Sequence, residues 1–252
     1  MLRRIGGVLA LLILAWMPAS AAVRGDVKVL EATETIRYRV NDLTKNYLLL
    51  YRFPAKRHLR QKLREDLEAL TQSFQVISLT TKDEKTKNLL GYFAYEKARL
   101  EEILDAKPSK ESLQEILEMS EGFIEGADAI ARHHAYDFAF EERMFMHTRS
   151  MTQRMEEILK YYLAVHLLPE DAQLKQKLQK AQEKFVSTLK LLNEYEYPEE
   201  ETLKVRTRLN HTWNNTSRSL KASADLPLVL DVAGRRIETL LERIGIYHSK
   251  NQ

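Results

Sequence analysis

A chain of 252 residues carries 39 Lys and Arg against 36 Asp and Glu, 44% hydrophobic residues, 8 Gly, 6 Pro and no Cys. Such a length holds one large or two small domains at roughly 100 to 200 residues each, and the scarcity of Gly and Pro argues against sandwich, collagen-like and disordered architectures and for long helices. Without cysteine there is no disulfide, thiol nucleophile or thiolate metal site.

The chain opens with Arg3 and Arg4, an apolar run from Ile5 to Met17, then Pro18 and the small residues Ala19, Ser20, Ala21 and Ala22. This is the order of a secretory signal peptide over residues 1–22, and the run is short for a bilayer span of about 20 residues. Retention as an uncleaved anchor is the competing reading. Cleavage removes two cations and no anions, so 39 minus 2 against 36 leaves a nearly neutral mature chain. The basic isoelectric point is therefore no argument for nucleic-acid binding. An exported chain without cysteine fits a bacterial periplasm. Three N-x-[ST] matches, at Asn210, Asn214 and Asn215, fall in one stretch rich in Asn, Thr and Ser and read as chance.

The chain repeats itself. A shift of 115 sets Tyr47-Leu48-Leu49-Leu50-Tyr51-Arg52-Phe53-Pro54 on Tyr162-Leu163-Ala164-Val165-His166-Leu167-Leu168-Pro169, and Leu59 to Leu63 on Leu174 to Leu178. Arg39 falls on Arg154 and Lys45 on Lys160, and a shift of 113 then pairs Leu117 to Ser120 with Leu230 to Ala233. This is a tandem duplication, with a first unit over residues 23–135 and a second over 136–252.

Apolar residues within each unit recur at helical spacing, as in Met151, Met155, Ile158, Tyr162 and Val165. The pattern predicts helices over roughly 28 to 53, 55 to 80, 83 to 105 and 109 to 134, with counterparts about 115 residues on. Pro54 and Pro169 suit first helical positions, Thr81 with Glu84 has capping-box spacing, and Pro108 with Ser109, Pro198 and Pro227 mark further helix starts. Short connections then predict an all-α chain of two antiparallel four-helix bundles. With neither Gly nor Pro between Ala127 and Leu168, the fourth and fifth helices are expected to run on as one, placing modules of about 37 Å end to end.

At the start of the second unit, His147-Thr148-Arg149-Ser150-Met151-Thr152-Gln153-Arg154-Met155, with Lys160-Tyr161-Tyr162-Leu163-Ala164, resembles the opening helix of the PilJ-like family. These are N-terminal domains of type IV pilus chemotaxis transducers, and the family includes a periplasmic nitrate-sensor domain. Arg149, Thr152, Gln153, Arg154 and Met155 match the family run, whereas Ser150 and Met151 depart from it. The first unit keeps Arg39, Lys45 and Tyr47 but carries Glu34 where the second has Arg149. The resemblance implies a four-helix bundle with an anion site made by first-helix arginines, often at a dimer interface. The candidate ligand residues are Arg149, Gln153, Arg154 and Arg39. Guanidinium groups offer bidentate donors to nitrate or a carboxylate. The plainer alternative pairs Arg149 with an acidic neighbour and lays Arg154 over an apolar stripe.

His133 and Asp137 would share a helix face if that helix continued, but a metal needs three converging ligands, so no metal site is expected. No catalytic constellation, phosphate loop or cofactor motif is present, so the expectation is a non-enzymatic chain without cofactor. Neither the second membrane helix nor the cytoplasmic coiled coil of the transducers is expected from these residues. The leading reading is therefore a periplasmic protein that binds a protein partner in an envelope machine such as a pilus, flagellar or chemosensory assembly. Self-association and a small-anion sensor role stay open as alternatives. Tyr136, Phe138, Phe140, Met144, Phe145 and Met146 crowd the junction with more aromatic and Met area than one stripe can bury, and are the candidate partner surface.

Overall fold

The computed structural model describes residues 17–221 and 225–252, with side chains from Arg24 onward. Eight helices account for the fold among the described residues: α1 (Met17–Arg52), α2 (Arg57–Thr80), α3 (Glu84–Asp105), α4 (Lys110–His133), α5 (Phe140–Leu167), α6 (Ala172–Glu194), α7 (Glu200–Lys221) and α8 (Pro227–Lys250). No strand occurs among those residues, and no helix is long and apolar enough to cross a membrane. The apolar and small residues expected to form the signal lie mostly outside the described residues.

The repeat is visible in the turns. Phe53 N–H donates to Leu49 O and Lys56 N–H to Phe53 O, while Leu168 N–H donates to Ala164 O and Asp171 N–H to Leu168 O. These are the same bonds displaced by 115 positions. Pro54 and Pro169 thus occupy equivalent places, but inside the turns and not at the first helical position, because α2 and α6 begin only at Arg57 and Ala172. Asp171 caps α6 by accepting from Gln173 N–H at 2.9 Å. At α3 the cap is Asp83, which accepts from Thr86 N–H, and Thr81 instead accepts from Asp83 N–H. Ser109 and Ser112 bond reciprocally at the start of α4, closing a capping box. Pro227 opens α8 as expected.

The long continuous helix does not form. Residues 134–139 separate α4 from α5, and two side chains account for the break. The His134 ring is held by Asp26, Thr81 and Thr86, which ends α4, and Glu142 accepts from Ala139 N–H to start α5 afresh. The lack of Gly and Pro permits continuity but does not impose it. His133 and Asp137 therefore share no helix face, and no group of three or more metal-ligating side chains occurs among the described residues.

Within the first unit α1 packs on α2 and α4, and α3 joins α2 to α4; within the second α5 packs on α6 and α8, and α7 on α8. The units are not end to end. Their first helices, α1 and α5, pack against each other, which sets the units side by side. The consequence is a central helix pair buried on all sides: Val40 to Leu50 are eleven consecutive buried residues, and Lys160 to Ala164 form a matching run. A bundle facing water would keep a polar stripe on each helix, so burial all round means a second layer covers it. Glu31 of α1 lies 3.5 Å from Arg149 of α5. In this cysteine-free chain, Glu31→Cys with Arg149→Cys should therefore be joined within one molecule by a short bismaleimide. Mass spectrometry finding only intermolecular products would contradict the side-by-side arrangement.

Candidate functional site

A cleft of about 820 Å³ lies between α1, α5 and α8. Glu34, Tyr38 and Arg39 line it from α1, Phe145, Thr148, Arg149 and Thr152 from α5, and Glu238, Glu242 and Gly245 from α8. The approach of α8 to α5 depends on small residues. A Cβ at Gly245 would lie 2.8 Å from Thr148 Oγ1, and one at Gly234 would lie 2.6 Å from Leu159 Cδ1. Both distances are below van der Waals contact, so glycine is what lets these helices meet.

Two of the four arginine-helix candidates reach this cleft. Arg149 lies over the Phe145 ring, 5.2 Å from its centroid, and its link to Glu31 is long and partly exposed. Arg39 donates to Asp66 at 2.9 Å while lying over Tyr38. Gln153 is buried beside the cleft without lining it, and Arg154 pairs with Glu157. Arg149 and Arg154 make separate ion pairs, to Glu31 and to Glu157, while both act on Glu34. Four lining residues, Glu34, Arg39, Arg149 and Glu238, each hold a buried polar atom with no hydrogen-bond partner in the protein. Buried polar groups are ordinarily satisfied, so their concentration at one cleft marks it out.

Behind Glu238 of the cleft lies a buried cluster with no direct signal in the sequence. The fully buried Lys45 ammonium sits 2.6 Å from Glu156, 2.8 Å from Asp42 and 3.2 Å from Asp231, joining α1, α5 and α8. Burial would push the ammonium down, but the three carboxylates hold it well above its usual range. Glu238 adds a fourth carboxyl by contact with Glu156, and burial together with that neighbour pushes Glu238 up to about 11. It therefore keeps a proton at neutral pH. Burial raises Glu34 as well, against the pull of Arg37. Asp66 is pushed up to about 7 by burial and by Asp42, against the opposing Arg39. The equivalent lysine of the second unit, Lys160, meets Ser120 at 3.0 Å, Glu121 at 3.6 Å and the Tyr161 ring, and burial lowers it.

The six junction residues do not make one patch. Met144 is buried, Phe145 turns into the cleft, and Tyr136 and Phe138 meet edge to face at 4.9 Å. Met146 is half-buried, and Phe140 is 61% exposed while stacking on Tyr195. A second paired device also escaped the sequence. His134 meets Asp26 at 2.7 Å and His248 meets Glu141 at 2.6 Å, each tying the last helix of a unit to the start of its first. Asp26 and Glu141 are 115 apart, which is the only signal the sequence offered.

No family model, curated protein or solved structure matches this chain.

The raised Glu238 carboxyl has a consequence for stability. The folded chain keeps a proton that the unfolded chain releases near the ordinary carboxylate value, so stability falls as pH rises from there toward about 11. Glu238→Gln, a neutral amide of the same shape, removes that dependence. At pH 8 the variant should be more stable than wild type by on the order of 1 to 2 kcal/mol, with the gap closing toward pH 5. Urea unfolding at the two pH values checks this.

Proposed function

We propose that this chain is a non-enzymatic, ligand-binding module of the bacterial envelope, exported to the periplasm, whose cleft holds a small anionic group on Arg149. The observation that carries the reading is the buried Nη1 of Arg149, which has no hydrogen-bond acceptor and only a long ion pair to Glu31 at 3.5 Å, in a cleft built by both units. A guanidinium with a free donor in a half-enclosed site recognises a planar oxyanion by charge-assisted hydrogen bonds. Glu34 beside it is a smaller obstacle than its charge suggests, because burial favours its neutral form and Arg37 bonds one of its oxygens. The PilJ-like run around Arg149 supports the same reading, with the two units of one chain standing in for the two subunits of a dimer.

Calorimetric titration with nitrate and small carboxylates tests it. Arg149→Ala should lose about one to two decades of affinity, the range for a charge-assisted hydrogen bond. Flat traces for wild type with every anion would remove the reading. Export has its own check: intact mass of periplasmic material should show loss of about the first 22 residues. A full-length product in the membrane fraction would contradict it.

A second reading is protein binding at the end of the second unit, favoured by Phe140, which is 61% exposed yet held flat against Tyr195. Aromatic side chains held rigidly at a surface are favoured interface anchors. Phe140→Glu should abolish recovery of any specific envelope partner while leaving anion titrations unchanged. Identical recovery by both proteins would argue against this surface.

A further inference from the structure

The duplication makes Glu34 and Arg149 equivalent positions, 115 apart, on the two helices that face each other across the cleft. Strict repetition would have placed like residues there. Divergence has instead placed opposite charges. Glu34 Oε1 is held by Arg37, while its buried Oε2 has no donor; Arg149 Nη1 is likewise buried with no acceptor in hydrogen-bond geometry. Glu34 feels the charges of Arg37, of Arg154 and, least, of Arg149, while the ion pairs of Glu34 and Arg149 are made to Arg37 and to Glu31.

We propose that the ligand is a small zwitterion of the α-amino-acid type, its carboxylate on Arg149 and its ammonium on Glu34. This rests on the reading above that the cleft takes an anionic group on Arg149. A simple anion would satisfy Arg149 but leave a carboxyl oxygen beside it, and a simple cation would meet the converse problem. A molecule with both charges a few bonds apart supplies the missing acceptor and the missing donor together. The ammonium also restores the charged form of Glu34 that burial disfavours. Tyr38 and Phe145 also line the cleft and add apolar surface beside an amino-acid side chain.

A thermal-shift screen of the standard L-α-amino acids on the full chain identifies binders, and calorimetry then compares each with nitrate and with the deamino acid of the same skeleton. At least one amino acid should bind more than about tenfold tighter than its deamino partner, a ratio read on wild type without any variant. Glu34→Gln should bring that ratio below about threefold while leaving the deamino acid's affinity unchanged, whereas Arg149→Ala weakens both. Deamino acids or nitrate binding as tightly as the amino acids would overturn this inference and leave the anion reading standing. Silence from every probe would overturn both.

Discussion

The fully buried ammonium of Lys45 joins the two halves of this chain at their core. An isolated ammonium moved from water into a protein interior costs several kcal/mol, which only converging carboxylates offset. Asp42 comes from its own helix, but Glu156 and Asp231 come from α5 and α8 of the other unit. Sliding α1 along α5 by even one turn would separate Lys45 from Glu156 and leave buried charges of both signs unpaired. A buried ion pair is a weak source of net stability and a strong penalty on wrong arrangements, so its role here is to fix register. The cleft inherits that register, because Glu238 touches Glu156 and also lines the cleft.

Duplication explains the architecture, and divergence explains the site. Equivalent turns at Pro54 and Pro169 and equivalent ties, His134 to Asp26 and His248 to Glu141, keep the two units alike at their ends. In the middle they differ. Lys45 gathers three carboxylates while Lys160 finds a serine and one distant glutamate, and Glu34 faces Arg149. A symmetric pair of bundles would offer two-fold-symmetric chemistry at the shared seam; this chain offers a directional one.

Much of the fold was legible because bundle helices announce themselves through period and punctuation. The repeat matched Tyr47 to Tyr162 and Lys45 to Lys160, and the helix limits fell within a few residues except at the start of α1. The packing of the units was not legible, for a physical reason. Asn41, Asp42, Thr44, Lys45 and Asn46 are polar yet buried, and local pattern cannot show that another unit covers them. The partners of Lys45 in the other unit, Glu156 and Asp231, lie over 100 residues away in sequence. Among site residues, Arg39 and Arg149 were found through the motif, whereas Glu238 carried no local signature at all. The junction aromatics misled because composition shows how much apolar area a segment has, not which neighbours divide it. Once α4 and α5 break apart, Phe145 and Phe140 point to different places.

The central claim is that Lys45 and Glu156 couple the two units. A double-mutant cycle of Lys45→Met and Glu156→Gln, followed by urea unfolding at neutral pH, measures that coupling directly. Each single variant should be strongly destabilised, and the double variant should recover about 1.5 to 3 kcal/mol relative to the sum of the two losses. Additive losses would show that the lysine and the glutamate do not act on one another, and the account of a register-setting seam between α1 and α5 would be wrong.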